Sequence, residues 1–189
     1  MGDLAFKEYL REELLNGKVV AMSPRPVVNH TVVSGNIHNV FKNNLKGKPC
    51  DAFGDGVDVY LTEKDTVIPD VMIVCNKDIV KRTGIYGAPD LIVEVLSPST
   101  AKKDRGYKKT LYGQCGVKEY WIVDIENRAI EVYLLNGKEL DLDEIYVIFP
   151  DYIIEKMTDE EKNDIKYEFK TSLFSDMIII IEEVFEGLY

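Results

Sequence analysis

One short run limits what this chain can fold into more than any other: Leu91-Ile92-Val93-Glu94-Val95-Leu96, set between Pro89-Asp90 and Ser97-Pro98. A brief apolar stretch rich in β-branched residues and bounded by turn signals describes a strand buried on both faces. Glu94 interrupts it with a carboxylate. Left unpaired and ionised there, that group costs several kcal/mol even after relaxation, so it is protonated, paired with a cation or bound to a metal.

The rest of the pattern supplies layers to cover such a strand. Spacing predicts a helix over residues 4–15 closed by Asn16-Gly17, then a short strand over 18–22. Pro24 and Pro26 break the chain, and Val33, Ile37, Val40, Phe41 and Leu45 then recur at helical spacing up to Gly47. Strands are predicted over 57–61 and 71–75. After the hydroxyl-rich Ser97-Pro98-Ser99-Thr100, a helix is predicted over 102–112, ended by Gly113 and Gly116. Residues 120–123 and 130–135 read as an antiparallel hairpin closing at Asn136-Gly137, and 177–181 as a strand or the start of a helix continuing through Phe185. Interleaved strands and helices imply an α/β fold with a mixed central sheet flanked by helices.

At 189 residues and 46% hydrophobic content, the chain is expected to form a single domain over 1–189. It has no apolar run of membrane-spanning length, and Asp3, Lys7, Glu8, Arg11, Glu12 and Glu13 make its start too charged for a signal peptide. A soluble, cytoplasmic protein with no membrane partner is expected. Cys50, Cys75 and Cys115 are odd in number and share no CxxC spacing, so they read as buried or free thiols. The net charge of -10 argues against indiscriminate nucleic-acid binding. Lys102, Lys103, Arg105, Lys108 and Lys109, with Asp104 the one acid among them, still form a local basic stretch that could hold a phosphate backbone or simply be a solvated helix face.

Asp70 opens the apolar strand Val71-Met72-Ile73-Val74-Cys75 much as Glu94 interrupts another. Two carboxylates on neighbouring central strands can hold one hard cation, Mg²⁺ or Mn²⁺, with waters and substrate phosphate completing the octahedron. Asp104, Lys108 and Tyr112 recur every four residues and share a helix face that could bring the lysine over the strand ends. The bland alternative is an ordinary surface Asp104-Lys108 pair worth a few tenths of a kcal/mol. Asp90 shares a strand face with Glu94 and competes with Asp70 as the second ligand, but a residue on an adjacent strand converges on Glu94 more readily. His30 and His38 match no zinc motif and suit helix packing or capping, and Ser97 lies in no nucleophile elbow.

These segments carry a resemblance. Ile68-Pro69-Asp70-Val71, the run from Pro89 through Thr100, Asp104 with Lys108 and Tyr112, and Gly116-Val117-Lys118-Glu119-Tyr120-Trp121-Ile122-Val123-Asp124 are similar to the Uma-type restriction endonuclease family of the PD-(D/E)XK nuclease superfamily. Upstream, Glu13-Leu14-Leu15-Asn16-Gly17, Met22-Ser23-Pro24 and His30 extend the likeness, so that it covers most of residues 9 to 135. The resemblance implies a restriction-endonuclease-like core that uses Mg²⁺ or Mn²⁺, with Asp70 as the acid of the PD element and Glu94 as that of the (D/E)XK element. The lysine expected two residues after the acid is Leu96 here, and Lys108 on the following helix is the matching position. Glu13 is an auxiliary carboxylate from the first helix or a solvated acid like Glu12.

The reading is a metal-dependent endonuclease hydrolysing phosphodiesters, with DNA as the expected nucleic acid. Asp70 and Glu94 hold the metal, Lys108 and Glu13 join them in catalysis, and Lys102, Lys103, Arg105 and Lys109 meet the backbone. A homodimer is expected, from the apolar residues Ile178 to Ile181 and Phe185 and the prevalence of two-fold symmetry. The alternative is a catalytically silent nuclease fold acting as a dimeric binding or regulatory module, favoured by the missing strand lysine and the acidic charge.

Overall fold

The computed structural model describes residues 11–22 and 27–189. The predicted first helix falls partly outside this range, and its described end is a strand. Here β1 (Glu12–Leu15) pairs antiparallel with β2 (Lys18–Ala21). The reason is Asn16-Gly17, whose φ values of 51° and 72° form the tight turn that matches strand twist in a two-residue hairpin. The sequence reading had used the same dipeptide as a helix stop.

The long helix α1 (Val28–Asn44) follows, burying Val33, Ile37 and Phe41. Then come β3 (Asp51–Gly54), β4 (Val59–Thr62), β5 (Asp65–Val67), β6 (Val71–Val74), β7 (Val80–Lys81), β8 (Gly84–Tyr86) and β9 (Leu91–Val95). A helical rod over 101–115, α2, precedes β10 (Glu119–Asp124), β11 (Ala129–Asn136) and β12 (Glu139–Val147). Short helices α3 (Asp151–Ile154) and α4 (Asp159–Asn163), the pair β13 (Glu168–Lys170) and β14 (Ile178–Ile180), and α5 (Ile181–Val184) complete the chain.

Two six-stranded sheets result, ordered β2-β1-β5-β4-β8-β7 and β12-β11-β10-β9-β6-β3. In the second, β9 runs parallel to β10 and antiparallel to β6, so the strand carrying Glu94 is central and the sheet is mixed, as the sequence implied. Its alternate residues feed separate cores. Val71, Leu91, Val93, Val95 and Trp121 pack toward α1 and the C-terminal segment. Met72, Ile92, Tyr120 and Ile122 pack toward the other sheet and α2. With full burial on both faces, a near-continuous apolar run is what such a strand needs.

Several expectations need correction. Cys50 and Cys75 are not free thiols but form a disulfide joining the chain before β3 to the end of β6, while Cys115 is free. Asn136-Gly137 turns the chain into a third strand, β12, which the sequence reading lacked. Gly113 does not end α2. A Cβ there would lie 2.8 Å from the Lys138 carbonyl oxygen, so glycine lets the rod pack against the β11–β12 turn, and Gly116, with φ 92°, caps it. The C-terminal ambiguity resolves into both options, strand then helix, and Ile179, Ile181 and Phe185 lie in the core, so they form no dimer surface. Ile178 and Ile180 remain exposed. Among the described residues, no helix is long and apolar enough to cross a membrane.

Candidate active site

Glu94 lies on the face of β9 that looks toward the first sheet and α2, and five ionisable side chains from three elements and one connecting segment meet there. Glu13, Asp70, Glu94, Asp104 and Lys108 are each between 1% and 7% exposed. Glu13 reaches in from β1 rather than from a helix, Asp70 from the residue before β6, and Asp104 and Lys108 from α2. The Lys108 ammonium donates to Glu94 Oε1 at 3.1 Å and forms ion pairs with Glu13 Oε1 at 2.8 Å and Asp104 Oδ1 at 3.7 Å. The bland reading of a surface Asp104-Lys108 pair is therefore excluded.

Local helix geometry makes this convergence possible. Within α2, Asp104–Lys108 form a π-helical turn between the α-helical Ala101–Lys103 and Lys109–Cys115. Such wide turns inside α-helices often occur at functional sites. Tyr112, one turn beyond Lys108 and fully buried, donates its hydroxyl to Glu94 Oε1 at 2.6 Å, and Tyr120 donates to the Asp104 carbonyl at 3.2 Å.

Asp70 and Glu94 are neighbours across the β6–β9 ladder. Asp70 Oδ2 accepts from the Val95 amide at 2.7 Å and lies 3.3 Å from His30 Nε2 in the first turn of α1. His30 thus lies against the site, where its residue pattern suggested packing or capping; the one signal for it was its place among the residues that carry the family likeness. Glu13 Oε1 also accepts from the Ile68 amide at 3.1 Å. Asp90 takes no part. It accepts from the Cys75 amide at 2.7 Å and from Lys118 at 2.8 Å, at the far end of β9.

The electrostatics follow from burial and crowding. Burial pushes the Glu94 carboxyl well above its usual range; Lys108 opposes this, and the charges of Asp104, Asp70 and Glu13 reinforce it. Asp104 is raised first by burial as well. Burial would lower the Lys108 pKa, but the three acids outweigh it and keep the ammonium charged, above its ordinary value. His30 is also lowered by burial and raised on balance by its hydrogen bond to Asp70.

Glu13, His30, Asp70, Glu94 and Lys108 line the floor of a cleft of about 750 Å³, and Asp104 lies behind them. Arg11, Lys103 and Arg105 line its walls, with Ser97–Thr100 on one side and the β10–β11 turn on another. Arg11 is paired through both guanidinium nitrogens with Asp55, and Arg105 with Glu131 and, at 3.7 Å, Asp124. Of the four basic residues expected to meet a nucleic-acid backbone, Lys103 and Arg105 face the cleft. Lys102 is exposed outside its lining, and Lys109 sits 4.7 Å over the Tyr133 ring on another face.

The donor set suits a hard cation. Among the described residues, Asp70 Oδ1 and Glu94 Oε2 carry no hydrogen bond, and both residues line the cleft. No group of three or more His, Cys, Asp or Glu side chains converges as a ready-made metal site among the described residues. Two carboxylates with one open oxygen each match what Mg²⁺ takes from a protein, with waters filling its other positions.

Comparison with known proteins gives three likenesses. A family model described as "Uma2: Putative restriction endonuclease" matches residues 3–156. The uncharacterized protein slr1290 of Synechocystis sp. is 32% identical over 137 residues, spanning 70% of this chain and 72% of the relative. A crystal structure described as "a putative nuclease belonging to DUF820", from Anabaena variabilis, superposes with a TM-score of 0.69 at 18% identity, covering 92% of this chain and 89% of the other.

Proposed function

Because the chain belongs to the Uma2 family, we propose that it is a metal-dependent endonuclease that hydrolyses phosphodiester bonds of DNA. The observation that carries the reading is the buried Lys108 ammonium held by carboxylates from separate elements beside Asp70, at the floor of a cleft. A lysine and two neighbouring strand acids are the parts phosphodiester hydrolysis needs, and here the lysine arrives from α2 instead of the strand. The silent-module alternative rested on the acidic net charge and on Leu96 standing at the lysine position, and the second ground weakens because Lys108 Nζ lies 3.1 Å from Glu94.

Asp70 and Glu94 would hold Mg²⁺ or Mn²⁺, which supplies a Lewis acid for the phosphate and lowers the pKa of a bound water. Lys108 presents a fixed positive charge where negative charge develops, and its burial makes that charge act through a medium that screens poorly. Glu13 fixes the ammonium from the opposite sheet. His30 orients Asp70 through its Oδ2, leaving Oδ1 without a hydrogen bond. Arg11, Lys103 and Arg105 offer cations to the backbone along a rim that also carries Asp55, Asp124 and Glu126. Action as a single domain in the cytoplasm is part of this proposal.

The test is Mn²⁺-dependent nicking of supercoiled plasmid by the wild type, with Glu94→Gln as control, beside calorimetric titration of Mn²⁺ into both. Cleavage and heat of binding that both vanish in Glu94→Gln support the reading; a wild type that neither binds Mn²⁺ nor cuts refutes it. Pairing of two copies is a separate part of the proposal, since two active sites would serve two strands, and a single-chain mass by light scattering at micromolar concentration refutes that part alone.

A further inference from the structure

Among the described residues, one buried side-chain polar atom lacks a hydrogen-bond partner, Asp104 Oδ1. Leaving a buried acceptor unsatisfied costs about 1–3 kcal/mol, more when it is charged, so its presence calls for a reason. The nearest cation is the Lys108 ammonium at 3.7 Å, beyond hydrogen-bond reach by less than 1 Å. An ammonium has three donors. Lys108 directs its charge to Glu13 and Glu94, at 2.8 and 3.1 Å, which leaves one of its three N–H groups uncommitted.

The arrangement has two seats for one ammonium. In the seat occupied here, Lys108 shares Glu94 Oε1 with the Tyr112 hydroxyl. A sub-ångström shift toward Asp104 would satisfy the orphaned oxygen and release Glu94 Oε1 from the lysine. The π-helical turn makes the second seat available, because Asp104 and Lys108 bracket it and both point inward.

We infer that Asp104 is a positioning residue that receives the Lys108 ammonium when Glu94 turns its carboxylate to a divalent cation. A cation at Glu94 repels the ammonium; without Asp104 the lysine would either hold Glu94 back or lose its orientation. The inference rests on the metal-dependent reading of this site and adds to it a residue on α2 that ligates nothing.

A double-mutant cycle on Mn²⁺ affinity tests it. Asp104→Asn keeps the shape and removes the anionic seat, and it should weaken calorimetric Mn²⁺ binding about tenfold, the scale of one charge-assisted hydrogen bond. In a Lys108→Met background there is no ammonium to receive, so adding Asp104→Asn should change affinity less than about twofold. Equal weakening in both backgrounds would make Asp104 a through-space charge only and overturn the inference. Should the Lys108→Met chain fail to fold, lysine-selective NMR decides. The buried ammonium resonance should move on Mg²⁺ addition in wild type and stay in place in Asp104→Asn, and the same movement in both overturns the inference. A wild type that binds neither Mn²⁺ nor Mg²⁺ refutes the metal reading itself, and the second seat with it, whereas binding with an additive cycle refutes the seat alone.

Discussion

Replacing Lys108 with methionine keeps a long unbranched side chain and removes the charge at the centre of the site. At an effective dielectric of about 20, each contact from Lys108 to Glu13, Glu94 and Asp104, at 2.8, 3.1 and 3.7 Å, is an attraction of about 5 kcal/mol. Desolvation of the four charged groups offsets most of that. What remains observable is the cost of leaving buried charge uncompensated, about 3–5 kcal/mol when one partner of a buried pair is removed. Lys108→Met should therefore lose about that much in urea unfolding at pH 8 in EDTA. Its melting temperature should fall by roughly 10 °C, at about 2–4 °C per kcal/mol for a chain of this size.

The deficit should depend on pH in one direction. Glu94 and Asp104 are raised above the usual carboxyl range by burial, and Lys108 is the group that opposes the rise. A carboxyl raised in the folded state contributes stability that is full below its unfolded pKa, about 4, and is lost as pH rises through the folded value. Without Lys108 both folded values climb further. The gap between Lys108→Met and wild type is thus widest near pH 8 and closes as pH approaches 4. A variant as stable as wild type at pH 8 would refute the idea that this ammonium holds the acids together, and a deficit unchanged between pH 8 and pH 4 would assign the loss to packing.

Glu94→Gln should melt at or above wild type in EDTA, because the amide oxygen can still accept from Tyr112 while Lys108 keeps Glu13 and Asp104; it should gain little from Mn²⁺, which stabilises wild type by mass action. A clear loss in EDTA would mean that Glu94 serves mainly as a structural partner of Lys108. Gly113→Ala, which places a Cβ 2.8 Å from the Lys138 carbonyl, should cost about 1–3 kcal/mol in the same urea assay, and unchanged stability would show that the rod can shift freely. Reduction of Cys50–Cys75, a link across a sequence separation of 25 residues, should lower stability by about 3 kcal/mol on the chain-entropy account, measured by urea titration with and without dithiothreitol. No change on reduction would argue against a disulfide in solution.

The parts of the site visible in the sequence were those whose residue type contradicted its surroundings. A glutamate in an apolar strand has few physical explanations, and an aspartate opening a second such strand narrows them further. Lys108 was legible because helical spacing ties it to Asp104 and Tyr112, although that spacing could not distinguish a buried triplet from a surface pair. His30 was not legible from its residue pattern, since its partner Asp70 is brought to it only by packing of α1 on the central sheet. The origin of Glu13 was misread for a local reason. The residues around it suit a helix, and only the left-handed Asn16-Gly17 turn, read together with a following strand, reveals a hairpin. The cysteines failed similarly: their spacing has no motif, and pairing depends on β3 lying beside β6.

The wide turn at Asp104–Lys108 also makes the site sensitive to chain length in a way that substitutions would not expose. Each residue of a regular helix advances the chain by about 100° of rotation. Gly106 sits on the outer side of that turn with nothing within 4 Å of where its Cβ would be, so a side chain there meets nothing. Were Gly106 deleted, the rod could close up into ordinary helix, with Asp104 and Lys108 three residues apart, about 300° of rotation, where the wide turn had set them four apart. Tyr112 would stay seated over Glu94 while Asp104 left the interior. One lost codon at an exposed glycine would thus unpick the site, where replacing that glycine by a larger residue would leave it whole.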